Sequence, residues 1–267
     1  MTEATRHTPG TPCWVSLMVH GLDEIQTFYG ELFDWEFSPG PRKLGPYVRA
    51  LLDGKEVAGL GRLPVDRHLP VAWTPYMAAD DAYTAAETVR HSGGTLGVGP
   101  LDVEDAARIA IVTDPAGAIF GLWQPVAHGG IALSGTPGTP VWHELRTFST
   151  ESVTKFYETV FGYEPEPAAL ADDDADDVIG VGEDHVTLRL NGRRVASLHG
   201  VGRSVLPRDR GSYWMTYFAV EDTDVTAARV TELGGHVLEQ PAEGPYGRVA
   251  TVTDPEGAVF TIIRPRS

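Results

Sequence analysis

The chain has 267 residues, enough for one large domain or two of medium size, and its 42% hydrophobic and 22% charged residues are typical of a globular protein. Its 37 acidic and 21 basic residues give a formal net charge of -16, so we expect neither nucleic acid nor a membrane surface as a partner. The single Cys13 excludes an intramolecular disulfide, and the polar N-terminus and the lack of a membrane-length apolar stretch favour a cytoplasmic protein.

The first predicted elements are a strand, a helix and a hairpin. Residues 1–9 are polar and predict a disordered tail, and residues 15–19 alternate as a strand does. Apolar residues at helical spacing follow over residues 22–33. Asp53-Gly54 lies between two alternating patterns and predicts a type I′ turn of a hairpin.

The next predicted elements complete this part of the chain. A strand begins at Trp73, and a helix begins near Asp81 and ends at Gly93-Gly94, a pair that suits a C-cap. Two closing strands flank Asp114-Pro115-Ala116-Gly117, which predicts a tight turn. These strands, helices and turns together predict an α+β protein.

The same signals recur in the second half of the chain, which indicates a duplication. Trp14 matches Trp142 at an offset of 128, and the Asp114 turn matches the Asp254 turn at an offset of 140. The second copy gains residues around an acidic run at 172–177, which predicts a solvated loop. We therefore divide the chain into a tail (1–9), a first module (10–125), a linker (126–137) and a second module (138–265).

These motifs resemble those of the glyoxalase, bleomycin-resistance and extradiol-dioxygenase superfamily, the vicinal oxygen chelate proteins. The resemblance rests on the helix motifs Phe-Asp-Trp and Phe-Gly-Tyr, a later strand that ends in an acidic pair, and Asp-Pro-x-Gly-Ala-x-Phe, which occurs twice. It covers residues 10–125 and 138–265. It implies an α+β fold of tandem βαβββ modules, whose open, curled mixed sheets surround a cleft.

The resemblance also implies where metal ligands would lie. The six matching positions are Trp14, Trp142, Thr74, Met215, Gly121 and Thr261. None of them carries the imidazole or carboxylate that a divalent transition metal prefers. We therefore expect no metal, and no motif predicts another cofactor. A metal-dependent lyase or dioxygenase remains the reading if the strand registers are shifted by one residue, which would turn His143 into the cleft.

Side chains on the same strand faces are the candidate ligand-binding residues. The full set is Trp14, Ser16, Met18, His20, Thr74, Tyr76, Trp123, Trp142, Arg146, Met215, Tyr217 and Thr261. The Trp, Tyr and Met side chains favour a flat, apolar or aromatic ligand. Core packing is the alternative interpretation of the same aromatic residues.

One ionisable pair distinguishes the second copy from the first. Glu144 and Arg146 share a strand face, whereas the first copy has nothing ionisable at either place. Burial would raise the pKa of Glu144 and make it a candidate catalytic proton acceptor, while Arg146 would lower that pKa. A structural ion pair is the alternative. We expect His68, His185 and His199 at the surface.

Three functions follow from this sequence. The first is a glyoxalase- or bleomycin-resistance-like protein that binds a small aromatic or natural-product-like molecule in the cleft without a metal. The second is a metal-independent acid-base enzyme (an isomerase, lyase or tailoring enzyme) that acts on an aromatic or polyketide-like metabolite through Glu144. The third is the metal-dependent lyase or dioxygenase. Either a monomer or a homodimer agrees with these functions.

Overall fold

The described residues of the computed structural model are 7–63, 71–104, 106–167, 184–202, 206 and 211–266. Predictions for residues 1–6, His68 and the acidic run 172–177 lie outside the described residues. The first repeat contains β1 (Pro12–Val19), α1 (Leu22–Phe33), β2 (Glu36–Pro39), a 3-10 helix (Arg42–Leu44), β3 (Tyr47–Leu52), β4 (Lys55–Arg62), β5 (Trp73–Ala78), α2 (Ala82–His91), β6 (Thr95–Val103), β7 (Ala107–Thr113) and β8 (Ile119–Pro125). The second contains β9 (Pro140–Thr147), α3 (Thr150–Phe161), β10 (Glu164–Pro167), β11 (His185–Leu190), β12 (Arg193–Gly200), β13 (Tyr213–Ala219), α4 (Thr223–Glu232), β14 (His236–Gly244), β15 (Gly247–Thr253) and β16 (Val259–Pro265).

Each repeat forms one eight-stranded mixed sheet. The strand order is β2-β3-β4-β1-β5-β8-β7-β6 in the first repeat and β10-β11-β12-β9-β13-β16-β15-β14 in the second. The pairs β1/β4, β5/β8, β9/β12 and β13/β16 are parallel, and the hairpin pairs are antiparallel. The predicted α+β class with tandem βαβββ modules is confirmed, and each repeat carries the βαβββ motif twice.

The helices form where apolar side chains recur at helical spacing. Ile25 and Tyr29 of α1 are buried, as are Val153 and Tyr157 of α3. Ser149 occupies the N-cap of α3 as predicted, but its side chain makes no capping hydrogen bond. The described helices include none that is long and apolar enough for a membrane span.

The turn predictions hold because the backbone adopts left-handed angles there. Asp53 and Gly54 have φ values of 51° and 70°, and Asn191 and Gly192 have values of 50° and 75°. Two successive positive φ angles define the type I′ turn, which Asn-Gly and Asp-Gly adopt at low cost. Each turn joins an antiparallel pair, β3 with β4 and β11 with β12.

The described chain divides into two compact units that do not coincide with the repeats. Unit 1 comprises Met1–Trp14, Thr74–Gly130 and His143–Trp214, and unit 2 comprises Val15–Trp73, Ile131–Trp142 and Met215–Ser267. Each unit therefore combines one half of the first repeat with one half of the second. Its apolar core likewise draws on both repeats.

A chain of hydrogen bonds crosses the core of each unit. In unit 1, Trp214 Nε1 donates to Tyr157 Oη (3.1 Å), and Tyr157 Oη donates to Asp114 Oδ2 (3.2 Å). In unit 2, Trp73 and Tyr29 connect in the same way to Asp254. The Asp side chain also accepts backbone N–H bonds in its Asp-Pro-x-Gly turn, so one carboxyl fixes both the turn and the helix beside it.

Burial decides the ionisation of these two carboxyls. It raises the pKa of Asp114 to about 6, although the N–H groups of the turn and the Tyr157 hydroxyl oppose the rise. Asp254 has its pKa raised to about 6 for the same reason. Compared with the unfolded chain, the folded protein therefore favours the neutral form of both carboxyls.

We expect Asp114→Asn to make the protein more stable at neutral pH. Because the folded pKa lies above the ordinary 3.8, the carboxyl's stabilising contribution is complete below pH 3.8 and is lost as pH rises through about 6. Asn cannot ionise, so the variant's thermal midpoint should exceed that of the parent by on the order of 5 °C at pH 7.5, and the difference should shrink towards pH 4.

The measurement is a calorimetric scan of both proteins from pH 4 to 8. Asp53→Asn is the matched control, because Asp53 is exposed and the second repeat has Asn191 at the same place in its turn. A midpoint difference for Asp114→Asn that stayed constant across the pH range would contradict the prediction.

Candidate functional site

Five polar side chains share one face of the sheet in unit 1. In the parallel pair β9/β12, Glu144 lies opposite Ser197 and Arg146 lies opposite His199. In the antiparallel pair β11/β12, His185 lies opposite His199. Side chains of paired residues point to the same face of a sheet, so these five residues form one group, which we call the polar cluster.

Glu144 is the centre of the polar cluster. Its Oε1 lies 3.3 Å from Arg146 Nε and 3.6 Å from His199 Nδ1, and its Oε2 lies 3.6 Å from His185 Nε2. The two imidazole rings are 5.9 Å apart between centroids. One carboxylate therefore faces one guanidinium and two imidazoles.

The polar cluster is buried at its centre and reaches solvent at its edge. The exposed fractions of the side chains are 9% for Glu144, 7% for His185, 18% for Arg146 and 25% for His199. A molecule that approaches from solvent therefore meets the Arg146 and His199 N–H groups before the carboxylate. N–H donors at the edge favour a ligand that presents oxygen acceptors.

The ionisation of Glu144 corrects one sequence expectation. Burial opposes the charged form, but His185, His199 and Arg146 together outweigh it and hold the pKa of Glu144 well below its usual range. The expectation that the pKa of Glu144 is raised, which would make it an effective proton acceptor, is therefore wrong. Glu144 is an ionised anchor that orients the cationic and N–H-bearing side chains around it.

His143 lies on the opposite face of β9, the face it shares with the core residue Leu145. It is buried, and burial lowers its pKa to about 4. The alternation along β9 therefore places Glu144 and Arg146 together on the face away from the core. The shifted register that would bring His143 to that face does not occur.

The predicted aromatic residues of unit 1 pack against one another. Trp14 and Trp123 have ring centroids 5.7 Å apart, and Tyr76 meets Trp123 edge to face at 5.8 Å. Tyr76 also covers Gly121, since a Cβ placed there would lie 2.0 Å from the Tyr76 ring. Thr74, two residues earlier on the strand, is half-buried. These rings fill space as core residues do, and a ligand contact for them stays a prediction.

The other candidate ligand residues lie in unit 2. Ser16 and Met18 are on β1, and His20 follows that strand, is exposed, and donates its backbone N–H to Glu256. Trp142 is half-buried, and Met215 is fully buried. The direct role of each in binding stays a prediction.

Tyr217 and Thr261 of unit 2 are brought side by side. They are register partners in the parallel pair β13/β16. The Thr261 hydroxyl is buried and has no hydrogen-bond partner within the described segments. A buried hydroxyl without a partner costs about 1–3 kcal/mol, so a water or a ligand oxygen would stabilise this position.

Sequence reasoning missed His185, His199 and Ser197. The Asn191-Gly192 turn is the nearest signal, but counting outward from it along both strands pairs His185 with Leu198, whereas the structure pairs His185 with His199. A bulge between Leu188 and Arg189 shifts that count by one residue. The expectation of surface histidines is wrong for His185, which is buried, whereas His199 is half-buried and reaches solvent at the edge of the polar cluster.

The described residues offer no set of side chains arranged as a metal site. No group of three or more His, Cys, Asp or Glu among the described residues is arranged to hold a metal ion. Glu144 comes nearest in composition, but both of its oxygens already face other side chains, and one of these is the Arg146 cation.

Comparison with known proteins identifies relatives of this chain. A model of the glyoxalase-like domain matches residues 145–263. CFP32 of Mycobacterium bovis, whose name carries a provisional glyoxylase assignment, is 33% identical over an alignment of 270 positions that covers 99% of this chain and 98% of that protein. The anthracycline biosynthesis protein DnrV of Streptomyces peucetius is 34% identical over an alignment of 281 positions that covers 98% of this chain and 96% of that protein.

Two solved structures share the fold at low sequence identity. The Mn(II)-bound glyoxalase from Novosphingobium aromaticivorans has a TM-score of 0.64 at 16% identity and covers 97% of this chain and 83% of its own. The 2,3-dioxygenase LapB from Pseudomonas sp. KL28 has a TM-score of 0.63 at 13% identity, and the match covers 98% of this chain and 94% of the LapB chain. Identities this low relate the folds and leave the chemistry open.

We expect Glu144→Gln to destabilise the protein by about 3 kcal/mol at pH 7, because it leaves the largely buried Arg146 guanidinium without its counter-charge. The folded pKa of Glu144 is lowered, so its stabilising contribution is present above pH 4.5 and is lost as pH falls below that value. The difference between variant and parent should therefore be smaller at pH 3.5 than at pH 7, measured as the free energy of unfolding in urea.

Glu166→Gln is the matched control on β10, the edge strand of the same sheet. Glu166 pairs with Arg189 at 2.8 Å, but its side chain is 44% exposed, so its loss should leave the free energy of unfolding nearly unchanged. Equal costs for the two substitutions would show that Glu144 is not a buried anchor.

Proposed function

The chain belongs to the glyoxalase-like proteins of the vicinal oxygen chelate superfamily, and we propose that it binds a small, flat, oxygen-bearing organic molecule at the polar cluster. The observation that carries the proposal is the Glu144 carboxylate, which faces Arg146, His185 and His199 on a sheet face turned away from the core. In a simple ion pair a carboxylate faces one partner, whereas this carboxylate faces three side chains.

The edge of the polar cluster defines the chemistry of the ligand. Arg146 and His199 reach solvent and carry N–H donors, so they suit a carbonyl, phenol or carboxylate oxygen. Ser197 lies beneath them as a buried hydroxyl opposite Glu144. The Glu144 carboxylate balances the charge of the Arg146 guanidinium, which favours a neutral or weakly acidic ligand over a strong anion.

The relatives favour a multi-ring ligand. DnrV covers nearly the whole of this chain and is named for anthracycline biosynthesis. Anthracyclines carry a flat hydroxyquinone ring system, so compounds of that type present the oxygens that Arg146 and His199 suit. We therefore take hydroxylated anthraquinones as the first ligand class to test.

We propose that this binding needs no metal. The family positions for metal ligands carry Trp14, Trp142, Thr74, Met215, Gly121 and Thr261. The described residues hold no set of metal-ligating side chains that would replace them. The arginine cation and the N–H donors of the imidazoles would take the place of an ion in binding a ligand oxygen.

An acid-base enzyme is the second candidate function, and the pair of imidazoles favours it. An imidazole can take a proton from a bound molecule and return it at another atom. His199 reaches solvent and His185 is buried, and both lie 3.6 Å from the carboxylate that orients them. In this function the imidazoles move the proton, and Glu144 positions them.

We expect metal-depleted protein to bind 1,4-dihydroxyanthraquinone, and Arg146→Met to weaken that binding by about tenfold or more through loss of a charge-assisted hydrogen bond. Methionine is the residue that the first repeat has at this place, Met18. Isothermal titration gives the dissociation constants, and elemental analysis of the same samples gives the metal content.

Arg189→Met on β11 is the matched control, since the Arg189 guanidinium pairs with the exposed Glu166 in the same sheet. Binding by the control should stay within about twofold of the parent, the ordinary effect of a surface charge. One equivalent of a transition metal per chain, with binding lost on its removal, would overturn the metal-free proposal.

Mass spectrometry of the incubated ligand separates the two functions. An unchanged ligand supports the binding protein, whereas a product supports the enzyme. If a product forms, His199→Gln should keep binding and lose conversion, because it keeps a hydrogen-bonding side chain without a titratable ring.

A further inference from the structure

The first repeat has the same strand framework as the polar cluster but none of its polar groups. In unit 2, Ser16 lies opposite Gly59 and Met18 lies opposite Gly61 in the parallel pair β1/β4. Tyr47 lies opposite Gly61 in the antiparallel pair β3/β4. By register, Tyr47 takes the place of His185, and the two glycines take the places of Ser197 and His199.

The Tyr47 side chain occupies the space above these glycines. A Cβ on Gly59 would lie 1.7 Å from the Tyr47 hydroxyl, and a Cβ on Gly61 would lie 2.9 Å from its ring and 2.7 Å from Met18 Sδ. A Cβ on Gly40 would lie 2.4 Å from the other edge of the ring. Three glycines therefore make room for one aromatic ring.

Space rather than backbone conformation explains these glycines. Gly40, Gly59 and Gly61 do not have positive φ angles, so other residues could adopt their backbone conformation. A glycine inside a strand weakens it and marks a close approach by another group. Here the approaching group is the phenol ring of Tyr47, which also accounts for the Gly59-Leu60-Gly61 sequence.

We propose that Tyr47 is a built-in occupant of the first repeat's binding face, so that the chain takes up one ligand rather than two. The phenol ring fills the position that a flat aromatic ligand would take, over a floor of glycines and beside Met18. The stoichiometry rests on the proposed function at the polar cluster. The occupancy by Tyr47 does not, because it concerns unit 2 alone.

Removal of the ring should create a cavity that accepts a free phenol. We expect p-cresol at millimolar concentration to raise the thermal midpoint of Tyr47→Ala by about 3 °C or more, as binding to the folded state alone requires. The parent, Tyr47→Phe and Tyr83→Ala should show no such shift, because the first two keep the ring and Tyr83 is 53% exposed. A folded Tyr47→Ala that ignores p-cresol overturns the proposal.

A second pair of variants tests the same contact independently of p-cresol binding. Gly59→Ala should lower the midpoint by about 5 °C or more in the parent, because its methyl group meets the Tyr47 hydroxyl. In the Tyr47→Ala background the same substitution should cost under about 2 °C. Equal costs in both backgrounds would show that the ring does not rest on Gly59.

Titration of the parent with 1,4-dihydroxyanthraquinone reports the stoichiometry. One site per chain supports the proposal, and two equivalent sites contradict it. An absence of binding would count against the proposed function, while the p-cresol and Gly59→Ala results would still decide the role of Tyr47.

Discussion

The alternation of side chains along β9 is the constraint on which the site depends. Leu145 is fully buried in an apolar core, so its neighbours Glu144 and Arg146 have to point to the other face of the sheet. A slip of one residue would carry a carboxylate and a guanidinium into that core, at a cost far above the stability of a domain. Packing on one face thereby fixes the position of charge on the other.

Buried carboxyls in this protein respond to their neighbours in opposite ways. Glu144 meets a guanidinium and two imidazoles and stays ionised, whereas Asp114 meets only N–H and O–H groups and holds its proton up to about pH 6. Burial acts against charge in both places; at Glu144 the imidazole hydrogen bonds and the Arg146 charge outweigh it, whereas at Asp114 the N–H and O–H groups do not. Glu144 is therefore suited to a polar site as an ionised group, whereas Asp114 is suited to holding a turn.

The sequence predicts those features that depend on residues close together along the chain. The helices, the type I′ turns at Asp53 and Asn191 and the shared face of Glu144 and Arg146 follow from local spacing. His185 and His199 required the pairing of strands across a bulge, which local spacing does not reveal. The two compact units depend on contacts between distant halves of the repeats, so no repeat boundary in the sequence predicts them.

The mixed origin of the two cores sets an order in which they can form during synthesis. The core of unit 1 runs from Met77 to Trp214, whereas that of unit 2 runs from Val15 to Ile262 and encloses the first along the chain. Chain growth proceeds from the N-terminus, and contacts between distant residues close slowly. The apolar strands that leave the ribosome first must therefore wait, solvated or chaperoned, for the strands that leave it last.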